Sequence, residues 1–273
     1  MASKYAKLLD KYNSILSEKP NDSYALSILA RIALKEARLE DAENYYSFIL
    51  SSNPDYPEAL YMMGFLFMNR NEYNKALGYF NKLLENGKEN AFVYEYMAVM
   101  DKNNRRNYLE KALELSRDIK IRSRDYKRCA YLAFETYIWG EYDIALEYAN
   151  WAYSAKPTND IVNLLGCIYH HNEDYDKALS LFHEVNANYE GNNPYVLCNI
   201  ASCYKKKNSN KMAIRYLEKA LEVDAKDKLI HYNIGSINAL IGNRKLAVDN
   251  FKKALELDNN YEDAKKALAS LGE

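Results

Sequence analysis

Residues 73–80, Tyr-Asn-Lys-Ala-Leu-Gly-Tyr-Phe, recur with small changes along most of the chain. The other copies read LEDAENYY at 39–46, YDIALEYA at 142–149, YDKALSLF at 175–182, NKMAIRYL at 210–217 and RKLAVDNF at 244–251. Each has alanine at its fourth position, and those alanines set a register. Ala42 and Ala76 are 34 residues apart, Ala145 and Ala178 are 33 apart, Ala178 and Ala213 are 35 apart, and Ala213 and Ala247 are 34 apart.

A second pattern precedes each alanine: a large residue, then a medium apolar one beside Gly or Ala, then usually another large one. It reads Leu60, Met63, Gly64, Phe67 in one unit, Val162, Leu165, Gly166, Tyr169 in another, Leu197, Ile200, Ala201, Tyr204 in a third and His231, Ile234, Gly235, Asn238 in a fourth. Residues three, four and seven apart share one face of a helix. Each unit therefore holds two apolar helical faces joined by a short polar turn, which makes it a helical hairpin. The small residue (Ala30, Gly64, Ala133, Gly166, Ala201 or Gly235) is expected to face the register alanine, so that the two backbones approach closely. Pro20, Pro54 and Pro157 fall at the unit ends, where a residue without an amide hydrogen separates one helix from the next.

A 34-residue hairpin with this pattern resembles the tetratricopeptide repeat family, and the resemblance covers nearly the whole chain. The expected fold is all-α, an α-solenoid of about seven hairpins forming one domain over 1–273. Its repeats lie near 23–56, 57–90, 91–122, 126–158, 159–193, 194–227 and 228–261. An N-terminal helix at 3–18 and a C-terminal capping helix at 262–271 flank them.

Three places depart from the pattern. The repeat at 91–122 keeps Tyr94, Met97 and Ala98, but Ala98 and Ala112 are 14 residues apart where Gly64 and Leu83 are 19 apart. About one helical turn is missing, so its first helix is expected to be short or the following turn unusual, with a change of curvature there. At the N-terminus, Leu8, Tyr12, Ile15 and Pro20 match the second helix of a repeat without its first. That face, with Tyr5, Leu9 and Leu16, is either a cap on the first repeat or an apolar strip that another copy covers, giving a homo-oligomer through the N-terminal helix. At the C-terminus, Ala264, Leu268 and Leu271 form an inner stripe while Glu262, Lys265 and Lys266 keep the outer face wet.

Composition narrows the function. The 273 residues carry 37 basic and 38 acidic side chains, a net charge of -1, which gives no global attraction for nucleic acid or an anionic membrane. One local exception is 102–128, with ten basic residues against Glu110, Glu114, Asp118 and Asp125; an acidic partner could dock there, or the charges solvate outer faces. Cys129, Cys167, Cys198 and Cys203 form no CxxC pair, which fits a reducing compartment. No stretch reads as a signal peptide or membrane span, and the expected location is the cytoplasm.

The resemblance implies a right-handed superhelix whose concave groove, lined by the first helix of each repeat, holds a partner's peptide. Carried over by position, the groove presents Arg31 and Lys35, then Tyr61, Phe65 and Met68, then Glu95 and Val99. Next come Ala130, Phe134 and Tyr137, then Asn163, Cys167 and His170, then Cys198, Asn199 and Lys205, and finally Tyr232 and Asn233. Asn199 and Asn233 share one repeat position, with Asn163 displaced by one residue. Asparagine amides there could pair with a peptide backbone or be solvated. The exposed aromatics are anchors for apolar side chains or simply part of the core. Family members that grip a C-terminal carboxylate use a lysine, asparagine and arginine set that this chain lacks, Ser27, Arg31 and Met62 standing at the first positions.

Enzyme chemistry finds no support: the glycines never cluster into a phosphate loop, and no serine, cysteine or carboxylate pair has the setting of a nucleophile or base. Cys167 and His171 lie four residues apart, a spacing a metal could use, but lack third and fourth ligands. His183 and His231 read as structural. No cofactor, metal or small-molecule substrate is expected. The leading reading is a non-enzymatic scaffold or adaptor binding a peptide segment; the alternative is an assembly module docking through its terminal helices.

Overall fold

A computed structural model describes residues 4–116, 126–190 and 193–273 of the chain. All regular structure among them is helical, and the chain divides into two compact units, Met1–Ile119 and Lys120–Glu273.

In the first unit α1 (Ala6–Glu18) precedes three hairpins: α2 (Ser23–Lys35) with α3 (Leu39–Ser52), α4 (Pro57–Asn69) with α5 (Tyr73–Glu85), and α6 (Ala91–Met100) with α7 (Arg105–Ser116). The second unit has four: α8 (Tyr126–Ile138) with α9 (Tyr142–Ala155), α10 (Asn159–His171) with α11 (Tyr175–Asn188), α12 (Pro194–Lys206) with α13 (Asn210–Val223), and α14 (Lys228–Leu240) with α15 (Arg244–Leu257). The short α16 (Glu262–Ser270) packs on α15.

Six of the hairpins turn in the same way. The residue after the first helix's C-cap takes a left-handed backbone: Ala37, Asn71, Gly140, Glu173, Asn208 and Gly242 have φ of 58°, 60°, 85°, 62°, 58° and 84°. The next N–H then reaches back five residues to a helix carbonyl, as in Arg38 to Ala33 at 2.8 Å, Asp174 to Tyr169 at 2.9 Å and Asn243 to Asn238 at 2.8 Å. This closes the helix end and satisfies carbonyls that would otherwise be orphaned. The third hairpin lacks the device. Its first helix, α6, has 10 residues against 13 in α4, and side chains close its end. The Asp101 carboxylate accepts from the N–H of Asn103 at 3.0 Å and of Asn104 at 3.4 Å, and Arg105 Nε donates to the Ala98 carbonyl at 3.1 Å. The unit's expected extent to residue 122 lies partly outside the described residues.

The small residue of each first helix does not face the register alanine alone. A Cβ on Gly64 would lie 2.5 Å from Phe80 Cε1, and one on Gly166 would lie 2.6 Å from Phe182 Cε1. At Gly235 it would meet Phe251 Cδ1 at 2.8 Å and the Ala247 carbonyl oxygen at 3.1 Å. The ring four residues beyond the alanine is the nearer neighbour. Glycine accompanies phenylalanine in all three of these hairpins. Alanine stands instead where that later position is Tyr46, Ala149 or Leu217.

The apolar face of α1 is covered. Tyr12 is buried against Ala25 and Leu29 of α2, with Leu9, Ile15 and Leu16 packed beside it, and its ring meets Tyr24 edge-on at 6.2 Å. Leu8 stays exposed.

Candidate functional site

The first helices α8, α10 and α12 of the second unit lie side by side and form the walls of a small cavity of about 100 Å³. Its lining is Tyr137 of α8, Cys167 and His170 of α10, Asn199 and Ser202 of α12, and Phe182 of α11. Helical spacing explains the set. Cys167 and His170 are three apart on α10, as are Asn199 and Ser202 on α12, so each pair shares a face.

Hydrogen bonds join the walls. Asn199 Nδ2 donates to Asn163 Oδ1 at 3.2 Å and lies 3.9 Å from Cys167 Sγ, while Ser202 Oγ and His170 Nε2 are 2.9 Å apart. One step further along α12, Lys205 Nζ donates to Ser236 Oγ of α14 at 3.1 Å. The displacement of Asn163 by one repeat position does not prevent its pairing with Asn199. Asn233, in the same repeat position as Asn199, is half-buried and makes no side-chain hydrogen bond among the described residues.

The lining is electrically neutral. Burial pushes the Cys167 thiol up to about 11, and it raises the Tyr137 phenol as well, so both keep their protons at neutral pH. Burial, and after it the charges of Lys206 and His171, hold the His170 imidazole below its ordinary range. The cavity thus offers hydroxyl, amide, thiol and imidazole groups over an aromatic floor. Such a lining can hydrogen-bond an uncharged polar group, and it contains no activated nucleophile. His171 turns elsewhere, stacking on Tyr142 with ring centroids 3.4 Å apart. Among the described residues no group of three or more His, Cys, Asp and Glu side chains is arranged to hold a metal ion.

Tetratricopeptide repeat models match residues 33–94, 140–193, 194–227 and 230–261, which is well over half of the sequence. The chain belongs to the tetratricopeptide repeat family. Members of that family generally serve as protein-interaction modules.

Among solved structures, this tetratricopeptide repeat protein is similar to the C-terminal part of a TPR repeat-containing protein from Cytophaga hutchinsonii. The TM-score is 0.60 at 19% identity, over 88% of this chain and 98% of that one, which shows a shared fold. A chain of the APC/C hetero-tetramer Cut9-Hcn1 aligns with all of this chain at 15% identity and a TM-score of 0.49, and this chain spans only 47% of its length. YrrB, a TPR protein with an unusual peptide-binding site, gives 0.45 at 17% identity over 82% of this chain and 97% of its own. None of the curated proteins matches. No helix among the described residues is long and apolar enough to cross a membrane.

Several of the remaining expected groove residues of this tetratricopeptide repeat protein have local partners. In the first unit Tyr61 and Phe65 of α4 are half-buried against Tyr96 of α6, with ring centroids 6.4 and 5.8 Å away, and Tyr96 stacks on Phe80 at 6.0 Å. Arg31 forms a two-pronged ion pair with Glu58 in the first turn of α4, at 2.6 and 2.5 Å, which holds its guanidinium charge still more firmly. Glu95, placed in the groove by its repeat position, is instead buried. In the second unit Phe134 is exposed, and Tyr232 is half-buried against Phe251 and Tyr261. His231 is buried, its Nε2 3.3 Å from the Ala225 carbonyl oxygen. Of the basic segment, residues 117–125 lie outside the described residues. Of the others, Arg106 pairs with Glu110 at 2.9 Å and Lys111 with Glu114 at 2.8 Å. Repeat position does not single out Tyr96 and Ser202, and it marks Phe182 only as an inward-facing residue of its hairpin.

Proposed function

We propose that the protein is a non-enzymatic interaction scaffold that holds a peptide segment of a partner against the first helices of its second unit. The observation that carries this reading is the neutral cavity between α8, α10 and α12, where Tyr137, His170, Asn199 and Ser202 converge from three helices. A peptide backbone brings both donors and acceptors, and a lining that offers both can match it without paying the cost of desolvating a charge. Phe134, exposed on α8, supplies an aromatic surface nearby in sequence for an apolar side chain. Asn163 and Cys167 steady the Asn199 amide nitrogen, and the amide oxygen accepts no hydrogen bond among the described residues.

The protein and an Asn199→Ala, Ser202→Ala variant, each shown to be folded, are used to capture binding proteins from the source cell. The expected result is a protein retained by the wild type and lost by the variant. Equal retention by both would remove the cavity from the binding surface.

A further inference from the structure

The first helices of the last three hairpins carry very few carboxylates. In α10, α12 and α14 the only one is Asp160, in the first turn of α10, whereas Lys205 and Lys206 occupy the last turn of α12. His170, whose ring meets Ser202, belongs to the last turn of α10, so Asp160 stands at the opposite end of that helix from the contact beside Lys205. Of the carboxylates near the α10–α11 turn, Asp174 is engaged by Lys177 at 2.7 Å and Asp176 by Lys207, while Glu173 is exposed in the turn itself.

Lys205 is therefore a half-buried ammonium whose one hydrogen-bond partner among the described residues is a hydroxyl, that of Ser236. It sits three residues beyond Ser202, on the same face of α12 as the cavity. A cation partly removed from water and left without a counter-ion is costly to maintain, and an anion arriving from outside would offset that cost. In keeping with this, burial and then the charge of Lys206 hold the Lys205 ammonium below the usual lysine range.

We propose that this face selects a peptide with an acidic side chain, which sits against the Lys205 ammonium while a neutral hydrogen-bonding group of the same peptide enters the cavity beside His170, Asn199 and Ser202. The proposal rests on the groove reading above and adds the chemistry of the partner. A nucleic acid fits less well, because it would bring phosphates to an uncharged cavity on a chain whose net charge is -1.

The test is a selection of phage-displayed random dodecapeptides on the full chain and on a Lys205→Glu variant. Wild type is expected to enrich Asp or Glu at a fixed position, and the variant Lys or Arg there. A synthetic peptide from the wild-type pool should bind Lys205→Gln about tenfold or more weakly, the scale of losing a partly desolvated charge pair, and Lys206→Gln within about twofold. Circular dichroism confirms that each variant is folded. Enriched peptides that lack acidic residues but are weakened by Asn199→Ala would overturn the acidic preference and leave the groove standing. A selection that enriches nothing would overturn both. Oligo-uridine binding that matches the peptides in affinity and is lost in Lys205→Gln would assign the lysine to nucleic acid instead.

Discussion

A Cβ on Gly166 would lie 2.6 Å from Cε1 of Phe182, and that same ring is the floor of the neutral cavity. Repeat packing and the candidate site thus share one side chain. Gly166→Ala gains roughly 1 kcal/mol of helix propensity but forces the ring to move, an overpacking cost of about 1–3 kcal/mol. The expected result in urea unfolding is a net loss of stability. Combining it with Phe182→Leu, the pairing that Ala201 and Leu217 already use, should cost less than the sum of the two single changes. Simple additivity would mean that the contact is not what requires glycine.

Ala37 and Glu173 occupy left-handed turn positions where the equivalent residues are Gly140 and Gly242. A side chain there costs about 1–2 kcal/mol that glycine avoids, partly offset by glycine's greater freedom when unfolded. Ala37→Gly is expected to raise stability by roughly 0.5–1 kcal/mol, visible as a higher Tm, whereas most glycine substitutions lower it. Asn208→Gly should change it little, since asparagine tolerates this conformation. A lower Tm for Ala37→Gly would contradict the turn geometry.

Burial raises Cys167 and Cys198 to about 11 and Cys203 to about 12, against an ordinary thiol value near 9. A thiol raised by folding holds its proton longer in the folded chain. Its stabilising effect is therefore complete below the ordinary value and is lost as pH rises through the folded one. Unfolding free energy should decline above about pH 9. Iodoacetamide labelling of the native protein at pH 8 should be slow and should quicken on adding urea. Fast native labelling of Cys167 would show an open, ionised site.

The repeats were legible because the 34-residue period survives in six copies, and helical spacing alone assigns their faces. Hairpin contacts were less legible. The pairing of glycine with phenylalanine lies in the sequence at Gly64 and Phe80, Gly166 and Phe182, and Gly235 and Phe251, yet periodicity says only that both face inward. Which atom is nearest depends on how the helices cross. Neighbouring first helices raise the same difficulty: Asn163 and Asn199 are out of repeat register but bonded, because side-chain reach covers one position. Ser202 could have been found as the residue three beyond Asn199. Tyr96, which fills the space beside Tyr61 and Phe65, turns two expected ligand anchors toward their own neighbours.

The N-terminal helix buries Tyr12 against α2 and leaves Leu8 outside that contact. Leu8→Asp should therefore change stability by less than about 0.5 kcal/mol, the usual range for an exposed position. It should also leave the mass measured by sedimentation unchanged. A mass that halves on substitution would show that α1 joins two copies.

The central claim is that the partner lies along the first helices of the second unit. Benzoylphenylalanine placed at Ser202, in the cavity, or at Lys219, on the exposed side of the second helix α13, tests it in the source cell under near-ultraviolet light. The account predicts a covalent adduct with another polypeptide from Ser202 and none from Lys219. An adduct from Lys219 alone, or from both positions equally, would contradict it.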